Sequence, residues 1–208
     1  MTKGLFITFE GPDGSGKTTQ IKKIEAYLAS QGKEVVCTRE PGGTLTSEAI
    51  RDVVLNPKFS IEAETETLLY LAARADHVEK IIAPALRAGK VVLCDRFSDS
   101  TMVYQGITRG MDLKTLKIMN DFATGSLAPD LTFLLDGEPK KLLARRDERG
   151  TKDRLELEGL LFQEKVRNGF LELAKEDPER IIVIDCLQSE DEVFKQICNT
   201  LEGKKYVG

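Results

Sequence analysis

The sequence predicts an α/β fold: a parallel sheet of about five strands with helices on both faces, three layers in all. Three observations carry that expectation. Short apolar runs alternate with longer stretches of helical periodicity along the whole chain. One run, Val91-Val92-Leu93-Cys94, is apolar at every position rather than at every second one, the pattern of a strand covered on both faces. The first run, Leu5-Phe6-Ile7-Thr8-Phe9, passes through a glycine-rich turn straight into a helical pattern.

In order, Leu5 to Phe9 has strand composition, and Ile21, Ile24 and Leu28 then recur at helical spacing with Lys22, Lys23 and Glu25 between them. Glu34 to Thr38 reads as a second strand. Arg39-Glu40-Pro41-Gly42-Gly43 follows, where Pro and paired Gly mark a tight turn. A cis bond is expected at Glu40-Pro41, because X-Pro is the only common cis linkage. Thr44 to Leu55 reads as a helix carrying Arg51. From Glu62 to Ala88 runs one long helical pattern, with Leu68, Leu71, Ala75, Val78, Ile82 and Ala85 on one stripe and Pro84 expected to kink it. The third strand, Val91 to Cys94, ends in Asp95-Arg96-Phe97, and a helix follows to about Gln105.

Asp112 is placed to cap a helix whose stripe is Leu113, Leu116, Met119 and Phe122. Leu131 to Leu135 is a fourth strand, ending at Asp136. Pro139 to Arg146 is helical and basic. Glu158 to Ala174 is helical, Ile181 to Ile184 is a fifth strand ending at Asp185, and Glu190 to Leu201 is a last helix. No repeat, low-complexity tract or long linker divides the chain, so a single domain over 1–208 is expected.

The turn after the first strand carries the chemistry. Glu10 to Thr19 reads G-x-x-x-x-G-K-T, the phosphate-cradling P-loop, and its strand-loop-helix context is the one that motif requires. Gly11, Gly14 and Gly16 let the backbone approach phosphate oxygens, and its N–H groups form an anion nest. Pro12, Asp13, Ser15 and Thr19 complete the nucleotide-binding stretch. Lys17 supplies a point charge for the β- and γ-phosphates, and the Thr18 hydroxyl suits Mg²⁺. The fold is thus of the P-loop NTPase type. The loop alone does not name the phosphate acceptor.

In a parallel sheet, ligands bind at the carboxyl ends of the strands. Glu10 to Thr18, Arg39 to Gly43, Asp95-Arg96 and Asp185 onward all follow strands, so they should converge on one edge. Asp95 is placed to orient Mg²⁺ or its waters, and Arg96 to clamp a phosphate; a structural ion pair is the alternative. Tyr70 and Arg74 share a helical face and could hold a flat heterocycle, or simply pack. Thr101, Tyr104 and Gln105 share another face, and the Gln105 amide could read a base edge with both donor and acceptor. Arg145, Arg146, Arg149 and Arg154 crowd a charged segment around Gly150. It is either a solvated loop or a mobile lid, spanning about 145–156, that brings cations onto transferring phosphates.

The 208 residues suit one core, and 31% charged with 41% hydrophobic residues fits a soluble globular protein. A net charge of −4 argues against a general nucleic-acid or anionic-membrane binder. No apolar run is long enough to span a bilayer, and Met1 to Gly4 leads into a strand, so no secretory signal is expected. Cys37, Cys94, Cys186 and Cys198 form no C-x-x-C pair and read as buried free thiols in a reducing cytoplasm. The one histidine, His77, reads as a surface or packing residue, so catalysis should not depend on it.

With these motifs on the page, the sequence resembles the bacterial thymidylate kinase family over nearly its whole length. The carrying residues are Phe9 to Thr19, Thr38-Arg39-Glu40-Pro41-Gly42-Gly43, Asp95-Arg96-Phe97 with Ser98 to Thr101, Tyr104-Gln105-Gly106, Ala128 to Thr132, and Arg149-Gly150 through Asp153-Arg154-Leu155-Glu156. The resemblance implies ATP- and Mg²⁺-dependent phosphorylation of dTMP to dTDP in a cytoplasmic homodimer. By position it implies that Asp13 meets the 3′-hydroxyl, that Arg39 and Arg96 hold the dTMP phosphate, and that Arg51, Tyr70, Arg74, Thr101 and Gln105 surround thymine. Tyr104 would sit where a 2′-hydroxyl would clash.

Two departures stand out. Phe97 replaces the usual Tyr, and Tyr70 the frequent Phe, whose place its ring can still take. Gly14 occupies the P-loop position that holds Arg in one branch of the family, so a second cation must come from elsewhere. Arg149 is the expected catalytic arginine because Gly150 beside it gives closure freedom; Arg145 is expected to brace the lid or touch ATP. Two other classes share the P-loop: a different P-loop small-molecule or nucleoside monophosphate kinase, and a GTPase-type switch, for which no N-K-x-D motif is present.

Overall fold

The apolar runs assemble as five parallel strands, β1 Leu5–Glu10, β2 Val35–Arg39, β3 Val91–Asp95, β4 Leu131–Asp136 and β5 Ile181–Asp185, in the order β2-β3-β1-β4-β5. The structure, a computed structural model, describes residues 4–147, 154–155 and 158–206. β1 is central, with Ile7 level with Leu93 on one side and Leu131 on the other.

Side chains of the inner strands alternate between two cores, as the period of two demands. Ile7 and Phe9, Val91 and Leu93, and Leu131, Phe133 and Leu135 face one side. There they pack on Ile21, Ile24 and Leu28 of α1 (Lys17–Ser30) and on Val193, Ile197 and Leu201 of α9 (Glu190–Gly203). Phe6, Val92 and Cys94 face the other side, against Val78, Ile82 and Phe97. Leu134 lies on that side too, with Val166 and Phe170 of α8 (Leu160–Glu176). The sheet with helices on both faces is therefore as expected.

The remaining helices are α2 (Leu45–Val54), α3 (Ala63–His77), α4 (Ala83–Arg87), α5 (Ser98–Thr101), α6 (Leu113–Thr124) and α7 (Pro139–Asp147). Thr44 caps α2 by accepting from the Ser47 N–H, and Asp112 caps α6 by accepting from the Thr115 N–H. The Glu40–Pro41 bond is cis.

Four expectations are refined or corrected. The helical run expected from 62 to 88 is present but not regular: a wide π turn at Val78–Ile82 lies between α3 and α4. Pro84 supplies no N–H and its ring crowds the carbonyl four residues back, and the widened turn just before it accommodates both. A second π segment, Met102–Thr108, follows the single α turn of α5, so Tyr104 and Gln105 lie on a π helix. The apolar stripes are only partly covered: Leu68 is 57% exposed and Phe122 is 89% exposed. Cys37 is exposed on the edge strand β2, unlike the other three cysteines, and all four are free thiols.

Candidate active site

The P-loop follows β1 because only glycine fits its turns. Gly11, Gly14 and Gly16 have φ of 134°, 86° and 89°. At Gly14 a Cβ would also collide with the Leu142 carbonyl oxygen, so this chain cannot carry an arginine there without moving α7. Lys17 opens α1 and folds back, its Nζ donating to the carbonyls of Gly11 (3.0 Å) and Pro12 (3.2 Å). Burial, followed by the nearby Arg96 charge, pulls its pKa below the ordinary lysine value. Asp95, Asp13 and Glu10 act the other way, and a phosphate would add negative charge directly beside the ammonium.

Thr18, next on α1, donates its hydroxyl to the Asp95 carboxylate at the end of β3 (3.0 Å). These are hard oxygen donors of the kind Mg²⁺ takes, with phosphate and water completing its shell. Among the described residues no three His, Cys, Asp or Glu side chains gather as a metal-binding group.

Arg96 follows Asp95 in a left-handed backbone conformation, φ 70°. Its guanidinium bonds Asp13 at 2.6 Å and lies 5.3 Å from the centre of the Tyr104 ring. Glu10 holds the chain just beyond it. Its buried carboxylate accepts from the Phe97 N–H (2.8 Å) and the Ser100 hydroxyl (2.6 Å). Burial, then the Asp99 charge, pushes the Glu10 carboxyl up to about 7, against the pull of Arg96.

The turn after β2 is braced the same way. Arg39 forms a two-pronged pair with Glu48 (2.8 and 2.9 Å), and Glu48 also accepts from the Gly43 N–H. Arg51 donates to the Pro41 carbonyl (2.9 Å).

Three hollows meet along this edge of the sheet. A cleft of about 590 Å³ is lined by Asp13, Arg51, Tyr70, Arg74, Arg96, Thr101, Tyr104 and Gln105. It therefore gathers every expected acceptor residue except Arg39. Arg39 lies in the adjoining groove of about 1180 Å³ with Lys17, Thr18, Asp95 and Arg96. On the far side of the P-loop, Arg145 lines a third hollow with Gly14, Ser15, Gly16 and Thr19, and donates to the Cys186 carbonyl (2.9 Å). Arg149, the expected catalytic arginine, lies outside the described residues, as does most of the 145–156 segment.

Arg74 is not the surface residue that packing alone would make it. It is 2% exposed, and donates to Glu40 (2.7 Å), Thr101 (2.8 Å), Asn120 (2.6 Å) and the Phe97 carbonyl (3.0 Å). His77 is buried as well, between the Thr38 hydroxyl (2.6 Å) and the Glu40 carboxylate (3.1 Å). It braces the β2 turn and does not itself line the cleft.

Several supporting residues were not singled out from the sequence: Glu10, Glu40, Glu48, Glu66, Arg109 and Asn120. Glu66 had a usable signal. It lies one helical turn before Tyr70 and two before Arg74, on the face already chosen.

The thymidylate kinase family profile matches residues 9–197. The chain belongs to the thymidylate kinase family. A thymidylate kinase of Deinococcus radiodurans is 48% identical over 197 residues, covering 95% of this chain and 96% of its own. One from a Geobacillus species is 45% identical, covering 97% of this chain and all of its own. The crystal structure of thymidylate kinase from Ehrlichia chaffeensis superposes with a TM-score of 0.77 at 36% identity, over 96% of this chain and 99% of that one. The five-stranded parallel sheet with flanking helices is thus the fold of a thymidylate kinase.

Proposed function

We propose that the protein transfers the γ-phosphoryl group of ATP directly to dTMP, giving dTDP, with Mg²⁺, as one catalytic domain. The observation that carries this reading is the junction of two clefts at Asp13 and Arg96 on the P-loop edge. A donor nucleotide on the P-loop and an acceptor in the 590 Å³ cleft would turn their phosphates toward each other there.

In this reading Lys17 and the loop amides hold the donor phosphates, while Thr18 and Asp95 orient the metal, which screens the charge between the phosphates. Arg96 and Arg39 clamp the acceptor phosphate, Arg39 turning from Glu48 to do so. Asp13 meets the sugar 3′-hydroxyl, and Tyr104 closes the space a 2′-hydroxyl would fill. Arg51, Tyr70, Arg74, Thr101 and Gln105 enclose thymine. Arg145 lies against the donor nucleoside, and Arg149 supplies the transition-state cation that Gly14 cannot.

The reading extends to a cytoplasmic homodimer. No helix of the described residues is long and apolar enough to cross a membrane. Neighbouring helices α2, α3 and α6 leave Leu45, Leu68, Ile118 and Phe122 exposed, and a second copy of the same surface would cover them.

ADP formation from ATP across all nucleoside monophosphates tests the assignment. Turnover should be confined to dTMP and close analogues, and should stop when a chelator removes Mg²⁺. Equal turnover with AMP or CMP would overturn it. Sedimentation of the purified chain tests the dimer.

A further inference from the structure

We propose that Glu66 is a positioning residue that sets the base preference of the acceptor cleft, by holding the Gln105 amide in one orientation. The inference rests on the acceptor being a nucleoside monophosphate bound in that cleft.

Glu66 is fully buried in α3 and does not itself line the cleft. Gln105, which does, donates Nε2 to the Glu66 carboxylate at 2.7 Å. Arg109 approaches the same carboxylate at 3.2 and 3.3 Å, and Arg154 donates to it as well. Arg154 is fixed in turn by the Val54 carbonyl (2.9 Å), and Arg109 by Glu158 (3.2 Å). Burial alone would raise the Glu66 carboxyl; hydrogen bonds from Arg154, Gln105 and Arg109 outweigh it and hold the carboxyl below its ordinary value.

Glu66 is therefore an anion, and a carboxylate can only accept. A glutamine amide has two nearly isosteric ends that exchange by a half-turn. Beside Glu66 only one orientation makes a hydrogen bond: nitrogen toward the carboxylate, Oε1 on the other branch. The cleft thus meets an acceptor at Gln105. Arg74, lining the same cleft, can only donate, and its four bonds to Glu40, Thr101, Asn120 and the Phe97 carbonyl leave one Nη2–H over.

An acceptor beside a donor matches a pyrimidine with an N3–H next to a 4-carbonyl, as in thymine and uracil. It opposes cytosine, whose N3 is an acceptor and whose 4-position is an amine. The two arginines fix Glu66 as a charge, Glu66 fixes the amide, and the amide fixes the edge that is read. A neutral amide at position 66 could donate as well as accept, and Gln105 would no longer be bound to one orientation.

The test uses the full chain, measuring kcat/KM for dTMP and dCMP with ATP and Mg²⁺. In Glu66→Gln the dTMP-to-dCMP ratio should fall by about tenfold or more, since discrimination by a directed hydrogen bond is lost. Gln105→Leu should lower the same ratio, and adding Glu66→Gln to it should change the ratio no further. A merely structural Glu66 would slow both substrates alike, and an unchanged ratio in folded Glu66→Gln overturns the proposal. If Glu66→Gln does not fold, Gln105→Leu decides: an unchanged ratio there overturns it too. A parent enzyme without dTMP turnover would instead overturn the assigned reaction, and this inference with it.

Discussion

Glu10 offers a quantitative test, through Glu10→Gln. Its carboxyl sits at the end of β1, 1% exposed, between the Phe97 N–H and the Ser100 hydroxyl. The groups facing it are Asp99, which opposes its charge, and Arg96, which favours it; burial is the largest influence. The carboxyl moves from 4.5 to about 7. Because the folded value is the higher one, the native protein holds this proton more tightly than the unfolded chain. Stability from this group is therefore complete below about pH 4.5 and is lost as pH rises through about 7. At 1.36 kcal/mol per pH unit, the ionised group opposes folding by about 3 kcal/mol once pH is well above 7. Glutamine keeps an acceptor for the Phe97 N–H but cannot ionise. Denaturant unfolding of parent and variant, followed by circular dichroism at pH 5 and pH 8.5, isolates the effect. The two should be within about 1 kcal/mol of each other at pH 5, with the variant gaining about 2–3 kcal/mol on the parent at pH 8.5. A stability difference that is the same at both pH values would refute the reasoning, and would mean that the two hydrogen bonds and Arg96 offset burial fully.

Lys17→Ala should abolish phosphoryl transfer while leaving the circular dichroism spectrum unchanged, because the buried ammonium is the loop's counter-charge; near-parent turnover in a folded variant would end the P-loop assignment. Arg96→Ala should weaken dTMP binding by about 1.5–3 kcal/mol, the worth of a hydrogen bond to a charged group, and Arg39→Ala less, since Arg39 must first leave Glu48. Calorimetric titration with dTMP reads both, and unchanged affinities would remove the clamp. Tyr104→Ala should narrow the gap in turnover between deoxyribo- and ribonucleotide acceptors; a constant ratio would show that the ring does not sit under the sugar. Arg149→Ala should lower the stopped-flow transfer rate by about 10³ with little change in KM, the low end for an arginine finger. Parent-like transfer in that variant, with Arg145→Ala or Arg154→Ala crippled, would move the role to another lid arginine.

How much was legible in the sequence depends on how local each cause is. The P-loop could be read because its glycines, Lys17 and Thr18 act within a few residues of each other. The strands could be read because burial on both faces makes their runs apolar throughout. Their parallel arrangement then places each strand-end motif at one edge, which is why Asp13 and Arg96 could be expected together; the family resemblance added Arg51 and Gln105, and all four line one cleft.

The partners of those residues were not legible. Arg74 meets Glu40 across 34 positions and Asn120 across 46, and Gln105 meets Glu66 across 39. Helical spacing says which side chains share a face, but not which carboxylate from another element will lie beneath it. The same limit explains Leu68 and Phe122, whose stripe periodicity marks an apolar face without saying what covers it. By itself the sequence determined the alternation of strands and helices, the edge on which the strand-end motifs gather and the nucleotide-binding loop, because those follow from periodicity and from backbone demands on glycine; the residues expected around an acceptor came from the family resemblance. Only the tertiary structure decided that Glu10, Glu40 and Glu66 brace the residues around the clefts, because a buried carboxylate finds its hydrogen-bond partners only once distant elements are packed together.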